Sequence, residues 1–364
     1  RNNAVTLRAN VMPQLSGNFF TIDLKRTRDA FEAVPWVRGA VVHRFWFAAG
    51  ALVAVVVSLF LASKRSYTET DRFARVAESG RFALVTLGRD LRQAGFFGAA
   101  GLANLTTDPD TGVVAGDCTA PADAYGFGTY FQVVRADGAG QAVGCVTDAV
   151  PNSDVIVIKS VRAVPLTDGA RDNRTDDTGV INTPEAINNQ RVYILANTDR
   201  GVLFRGADAT PPTLLAGGDV PQGEAWQYQA AVYYVRAGNA GNGNVPRLSR
   251  KVLGWDAVNN RLAILTEDLA EGVEQMRVLL GEDRTLDGNV DVLVDSTQVV
   301  DWGRVLSAQP NLLVRSIETE PGYVDDRTYV LAGTNFTPGG SFRRLVVSET
   351  VSMRNSVFLV RSGF

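Results

Sequence analysis

The first part of the chain contains one long hydrophobic run without a charged residue. Residues 45–62 read Phe45-Trp-Phe-Ala-Ala-Gly-Ala-Leu-Val-Ala-Val-Val-Val-Ser-Leu-Phe-Leu-Ala62, in which Ser58 is the only polar side chain. As an α-helix the run would be about 27 Å long, close to the hydrocarbon core of a thin bilayer. The pattern predicts a transmembrane helix, and a buried helix of a soluble protein is the alternative. The predicted anchor residues are Phe45, Trp46, Phe47, Leu52, Val56, Phe60 and Leu61.

The apolar positions then take up helical spacing. Between Tyr67 and Ala94 there is no proline, and apolar residues recur at intervals of three and four. This predicts that the helix continues as an amphipathic segment over 63–98, with Gly95 as its C-terminal stop. The stripe predicted to pack on a soluble domain consists of Phe73, Val76, Leu84, Leu87 and Leu91.

After residue 98 the period changes to that of short strands. Five β-branched or aromatic runs alternate with turns rich in Gly, Asn, Asp and Pro; the runs are Val155–Ile158, Val192–Leu195, Val232–Val235, Leu312–Val314 and Leu345–Val347. One further helix is predicted over Leu269–Leu279, opened by Thr266. The predicted fold class is α+β, with the long N-terminal helix packed on a mainly antiparallel sheet.

The first 44 residues have a different local pattern. Asp23 can cap a helix that Pro35 ends, and Val37–Phe45 alternates as a strand does. We therefore expect an incomplete βαβ segment over 1–44. The predicted organisation is this segment, the span 45–62, its amphipathic continuation 63–98 and a β-rich domain over 99–364.

Charge and composition narrow the possible functions. The net charge of −3 argues against a nucleic-acid surface, and it divides into +4 over residues 1–44 and −7 over the remainder. His43 is the only histidine, which argues against Ser-His-Asp catalysis and multi-histidine metal centres. We predict no enzyme activity, no cofactor, no metal and no small-molecule substrate.

The two cysteines, Cys118 and Cys145, can form one disulfide, and two buried thiols are the alternative. Lys and Arg are equally frequent on both sides of residues 45–62, so charge does not orient the span. A disulfide would place the C-terminal body outside the cytosol.

One turn carries oxygen ligands at alternate positions. Asp287-Gly-Asn289-Val-Asp291 has the spacing of a calcium loop, but Val292 and Gln298 replace the loop glycine and the bidentate glutamate. A solvated turn is the favoured interpretation.

Several ordered motifs resemble the PilW family of type IV pilus minor pilins. They are Leu61–Tyr67, Glu78–Leu84, Gly88–Gly98, Leu269–Leu279, Asp301–Val305 and Phe342–Asn355, covering about residues 50–355. The resemblance implies a single-span protein of the bacterial inner membrane whose body lies in the periplasm or at the pilus. It also implies that the chain helps to start or stabilise the fibre, with the major pilin, other minor pilins and the assembly machinery as partners. The family has no catalytic residues to transfer, and a type II secretion pseudopilin would share the same plan.

The N-terminal part departs from that family. Where a Gly-Phe cleavage point is expected the chain has Trp36-Val-Arg-Gly39, and no glutamate follows before Glu69. Instead Ala4–Arg8, Gly17–Leu24 and Ala30–Trp46 resemble the POTRA region of the cell-division protein FtsQ. An FtsQ-like divisome membrane protein is therefore the alternative function. A fusion or mis-joined reading frame is the favoured explanation, ahead of an incompletely built N-terminus or a genuine hybrid.

Overall fold

The computed structural model describes most of the chain. The described residues are 9–17, 21–34, 37, 39–43, 51–166, 187–208, 212, 218–221, 223–353 and 355. The chain divides into two compact units, Arg1–Arg75 and Val76–Phe364. The four predicted segments, 1–44, 45–62, 63–98 and 99–364, stay a prediction.

The first unit contains the short helix α1, Leu24–Glu32. The carboxylate of Asp23 accepts hydrogen bonds from the backbone amides of Lys25 (2.8 Å) and Arg26 (3.1 Å), which confirms the predicted cap. In the described residues of 1–44 there is no strand, so the strand prediction over Val37–Phe45 is wrong at 37 and 39–43. Alternating apolar side chains form a strand only beside a strand that accepts their backbone hydrogen bonds, and the described residues of 1–44 contain none.

The long helix α2, Ala51–Gln93, has 43 residues and extends into the second unit. It ends at the predicted place, because Gly95 has φ +74° and its amide donates to the Lys159 carbonyl at 3.0 Å. None of the helices in the described part of the chain is both long and apolar enough to cross a membrane. Residues 45–50, including Phe45, Trp46 and Phe47, lie outside the described residues, so the span over 45–62 stays a prediction.

A mostly antiparallel sheet of eight strands dominates the second unit. Its spatial order is β1-β5-β4-β6-β3-β2, with β7 beside β6 and β8 beside β7, and only β1 and β5 pair in parallel. The bounds are β1 Leu105–Thr107, β2 Phe131–Arg135, β3 Asp154–Val161, β4 Val192–Ala196, β5 Gly201–Arg205, β6 Glu224–Arg236, β7 Arg247–Asp256 and β8 Arg261–Glu271.

A second, fully antiparallel sheet has five strands in the order β10-β9-β11-β14, with β15 also paired to β11. The bounds are β9 Val273–Glu282, β10 Val292–Asp295, β11 Val305–Arg315, β14 Arg344–Ser348 and β15 Val351–Ser352. Between β11 and β14 the chain forms a small hairpin of β12 Tyr329–Leu331 and β13 Thr334–Phe336. The described chain is thus a mixed α+β fold, mostly β-sheet, and the five predicted strands are confirmed.

The helix predicted over Leu269–Leu279 is wrong. The chain turns at Gly272, whose φ is +83°, so that β8 and β9 lie on either side of it. Met276, Val278 and Leu280 are fully buried at every second position, which is the period of a strand. The positive φ of Gly272 interrupts a helix at this point, and the burial of every second apolar side chain favours a strand after it.

Candidate functional site

The candidate functional site is the surface along which α2 packs on the two sheets. Val76, Leu84, Leu87 and Leu91 lie in the main hydrophobic core with residues of both sheets. Phe73, predicted with them, is 48% exposed, so its assignment to the packed stripe is wrong. Helical spacing assigns Phe73 to the right face, but spacing does not determine where along the helix that face becomes covered.

The other predicted anchor residues that the structure describes lie on α2. Leu52, Val56 and Leu61 are within the helix, and Phe60 is 65% exposed.

Gly80 is a position at which α2 lies directly against the five-stranded sheet. A Cβ atom added there would lie 3.0 Å from Val347 Cγ2 and 3.2 Å from Val314 Cγ2. Two valines from β11 and β14 therefore occupy the space of a side chain at position 80. Sequence reasoning missed this contact, although a glycine at the register of the apolar stripe was a signal for it.

A polar link joins α2 to the middle of the larger sheet. The Tyr233 hydroxyl on β6 donates to the Asp90 carboxylate, and the Arg250 guanidinium on β7 lies 3.1 Å from the phenol oxygen and 3.5 Å from Asp90. Burial, together with the negative charge of Asp90, raises the pKa of Tyr233 above its ordinary value. The phenol therefore stays protonated and remains a donor at neutral pH. The sequence shows no signal for this pairing across 143 positions.

Further hydrogen bonds fasten the same part of α2 along its length. Ser79 Oγ donates to the Glu271 carbonyl at 2.5 Å, and Arg92 pairs with Glu349 at 2.7 Å. Near the end of the helix, Asn355 Nδ2 donates to the Ala94 carbonyl at 3.1 Å. The segment Val76–Ala94 is thus held by strands and loops from distant parts of the second unit.

The loop over residues 117–128 is fixed by a disulfide and a buried lysine. Cys118 and Cys145 are bonded, with their Cα atoms 4.7 Å apart, which confirms the predicted pairing. Lys159 on β3 is 1% exposed, and its Nζ donates to the Gly126 carbonyl at 2.5 Å and lies 3.5 Å from Asp123. Burial lowers the pKa of Lys159. The sequence did not predict this contact of Lys159, because its partners Asp123 and Gly126 lie 36 and 33 positions away in a loop.

In the turn over residues 283–291, which includes the possible calcium loop, the aspartate carboxylates accept hydrogen bonds from backbone amides. Asp291 Oδ2 accepts from the amides of Arg284 (2.7 Å) and Thr285 (2.8 Å), and Asp283 accepts from those of Leu286 and Gly288. Within the described ranges no group of three or more His, Cys, Asp or Glu side chains could hold a metal ion. Of the residues that suggested a calcium loop, Asp287 and Asp291 accept hydrogen bonds from backbone amides of the same turn.

The segment Val76–Ala94 of α2 therefore packs on both sheets. Its side chains Ser79, Asp90 and Arg92 form hydrogen bonds or ion pairs that hold it there. The strands that contact α2 include β6, β7, β11 and β14, and a comparison with known families concerns this same region. Residues 232–355 match the family model of type IV pilus-assembly protein W. The predicted PilW resemblance is confirmed over this range, which includes Tyr233, Arg250 and both valines at Gly80.

The N-terminal region is similar to a different kind of protein. It is 54% identical over 46 residues to cell division protein FtsQ of Thiomonas arsenitoxydans, covering 13% of this chain and 17% of that protein. It is 59% identical over 44 residues to FtsQ of Burkholderia pseudomallei, covering 12% and 18%. These matches confirm the predicted FtsQ resemblance, and the chain spans less than a fifth of the length of these relatives. No solved structure matches the chain.

Proposed function

We propose that this chain is a structural, non-enzymatic minor pilin that takes part in assembling the type IV pilus. The observation that carries the proposal is the PilW match over residues 232–355, whose strands hold the Val76–Ala94 segment of α2. A fibre subunit needs a helix with a fixed direction relative to its sheets, and the contacts of Gly80, Asp90 and Leu87 supply this within the second unit.

The proposed location is the inner membrane, with residues 45–62 as a single span and the β-rich body in the periplasm or at the pilus. The absence of charge over 45–62 and the disulfide in the body support this location. The proposed partners are the major pilin, other minor pilins and the assembly machinery.

Deleting the coding sequence tests the pilus function. We expect fewer surface pili and reduced twitching motility, both restored by the complete chain but not by a variant with Leu91→Asp, which buries a charge in the fully covered stripe. A Val258→Asp variant, changed at a side chain that is 92% exposed, is the matched control. Unchanged pilus number and motility in the deletion strain would count against the proposal.

Alkaline extraction of membranes tests the anchor separately. The unchanged chain should stay with the membrane pellet, whereas a double variant with Leu52→Arg and Val56→Arg should be released. Extraction of the unchanged chain would contradict the proposed span. The intact mass and N-terminus of the protein from its native membrane would show whether residues 1–44 belong to the mature chain.

The FtsQ similarity supports a second candidate, a membrane protein of the division site. An identity of 54–59% over some 45 residues is the specific observation in its favour. A fluorescent fusion that collects at the septum is the expected result for this candidate. A fusion spread evenly around the cell envelope would rule it out.

A further inference from the structure

Lys159 is a buried lysine whose charge has no close carboxylate. Its side chain is 1% exposed on β3, which lies between β2 and β6. The Nζ atom donates to the Gly126 carbonyl at 2.5 Å, whereas the nearest recorded carboxylate oxygen, Asp123 Oδ1, is 3.5 Å away. An ammonium ion in the interior costs free energy unless a close carboxylate balances it. Burial accordingly lowers the pKa of Lys159, which raises the fraction of neutral amine.

A lysine distinguishes this pair from the other ion pairs of the second unit. The other pairs recorded among the described residues are formed by arginine, as at Arg277 and Arg344. A guanidinium group stays protonated in proteins and does not act as a nucleophile. A lysine amine becomes a nucleophile once it has lost its proton, and burial favours that loss.

The loop over residues 117–128 fixes Asp123 beside this amine. The amide of the next residue, Ala124, donates to Asp117 Oδ1 at 2.9 Å, and the carbonyl of Ala124 accepts from the Tyr228 hydroxyl at 2.7 Å. Both polar groups of that residue are therefore held by other parts of the second unit. The Asp123 carboxyl group has little freedom to move away from Nζ.

Gly126 brings the two groups together. A Cβ atom added at Gly126 would overlap with both carboxylate oxygens of Asp123, so the carboxylate occupies the space of a side chain at position 126. The carbonyl of the same glycine holds Lys159 Nζ. The side chain of Asp123 is 39% exposed, which gives a proton and a water molecule a path to and from solvent.

We propose that Lys159 and Asp123 condense to an intramolecular isopeptide bond after the chain has folded. The pair first transfers a proton from Nζ to the carboxylate, which gives a neutral amine and a carboxylic acid. The Nζ lone pair then attacks Asp123 Cγ, so that a C–N bond forms and one C–O bond breaks. The hydroxyl group leaves with a second proton from Nζ as water, and no oxidant, reductant or other co-reactant is consumed. Two groups held in contact react far faster than the same groups free in solution.

The amide has a physical advantage over the ion pair. It carries no charge, so condensation removes the cost of keeping an ammonium ion in the interior. Together with the Cys118–Cys145 disulfide, it attaches the loop to the rest of the second unit by covalent bonds at two positions. The bond does not depend on the proposed pilus function.

Peptide mapping of the full-length folded chain tests the bond. After denaturation, reduction and alkylation, trypsin cleaves an unlinked chain into peptides 93–135 and 136–159, which carry Asp123 and Lys159. An isopeptide bond blocks cleavage after Lys159 and keeps 93–135 joined to 136–162. We expect this linked pair in place of the separate peptides, with a mass lower by one water molecule than the sum of its parts.

Three variants serve as controls. Lys159→Arg keeps the positive charge but cannot condense, and Asp123→Ala removes the carboxyl group, so both should give the separate peptides at full mass. Lys251→Arg is the matched lysine control, because Lys251 Nζ donates to the Thr266 hydroxyl at 2.8 Å in the recorded contacts. The linked pair should form in Lys251→Arg as in the unchanged chain.

Separate peptides 93–135 and 136–159 as the main products of the unchanged chain would overturn the bond. Loss of water within a single peptide, as a cyclic imide at Asp287–Gly288 produces, would overturn it too. So would a linked pair that persists in Asp123→Ala. The pilus count of the deletion strain decides the proposed function separately, since peptide masses do not depend on it.

Discussion

The hydroxyl of Tyr233, in the longest strand of the larger sheet, donates a hydrogen bond to the carboxylate of Asp90 on helix α2. Tyr233 is fully buried, and the side chain of Asp90 is only 18% exposed. A buried donor needs its acceptor, because an unsatisfied polar group in the core costs free energy. The pair therefore fixes the rotation of α2 relative to the strand beneath it.

A double-mutant cycle should measure this link. We expect Tyr233→Phe and Asp90→Asn each to lower the free energy of unfolding, with a coupling energy of about 1 kcal/mol from denaturant titrations. The exposed pair Arg92–Glu349 is the control, and its coupling should be below about 0.5 kcal/mol. Additive effects of Tyr233→Phe and Asp90→Asn would contradict the link.

Truncating the packed stripe should destabilise the second unit. Leu87 is fully buried, so Leu87→Ala should lower the free energy of unfolding by about 2–5 kcal/mol through lost burial and a cavity. Val85, two residues earlier, is 59% exposed. Val85→Ala should therefore change the free energy of unfolding by no more than about 0.5 kcal/mol. Equal effects of the two substitutions would mean that the stripe is not packed as described.

The two glycines on the stripe should respond in opposite ways. At Gly80 a larger side chain meets Val347 and Val314, so Gly80→Leu should destabilise the chain by about 1–3 kcal/mol. At Gly88 an added Cβ is 3.5 Å from Val351 and 3.3 Å from the flexible end of Arg92. Gly88→Ala should therefore raise the melting temperature, because alanine favours the helix by about 1 kcal/mol. A lower melting temperature for Gly88→Ala would show that this position is as crowded as Gly80.

The disulfide should resist alkylation and contribute to stability. Native protein denatured without reductant should gain no mass with iodoacetamide, whereas reduced protein should gain two adducts. Replacing both Cys118 and Cys145 with serine should cost about 3 kcal/mol for a loop of this length, with a sequence separation of 27. Alkylation of both thiols in the unreduced protein would disprove the bond.

Acid should remove a contribution that Asp325 makes to stability. Burial acts to raise the pKa of Asp325, but hydrogen bonds from Arg327, Arg344 and Tyr329 outweigh it and hold the pKa well below its ordinary value of 3.8. The stabilisation is present in full above that ordinary value and is lost as the pH falls through the lower pKa of the folded state.

Asp325→Asn should therefore lower the unfolding midpoint in urea at pH 7 and flatten its decline between about pH 4 and pH 2. The cost at pH 7 should be about 3 kcal/mol, because Arg344, only 2% exposed, keeps Glu274 but loses Asp325. Asp326→Asn, at the exposed neighbouring position, should change neither quantity. Identical acid profiles for Asp325→Asn and the unchanged chain would refute the prediction.

The amino-acid sequence by itself determined the local elements of this protein. The helical intervals of eight, three and four residues between Val76, Leu84, Leu87 and Leu91 predicted the packed face of α2, because helical periodicity depends only on neighbouring turns. The Asp23 cap and the stop at Gly95 depend on the adjacent backbone, and each was predicted for that reason. The two cysteines permitted a single pairing within the chain.

Only the tertiary structure decided the contacts between elements. The helical spacing of residues 269–279 gave way to two strands because Gly272 turns the chain and β7 and β11 supply hydrogen-bond partners for β8 and β9. Phe73 has the spacing of the packed stripe but is exposed. The partners of Tyr233, Gly80 and Lys159 come from distant parts of the chain, and only the folded backbone brings such residues within reach of one another.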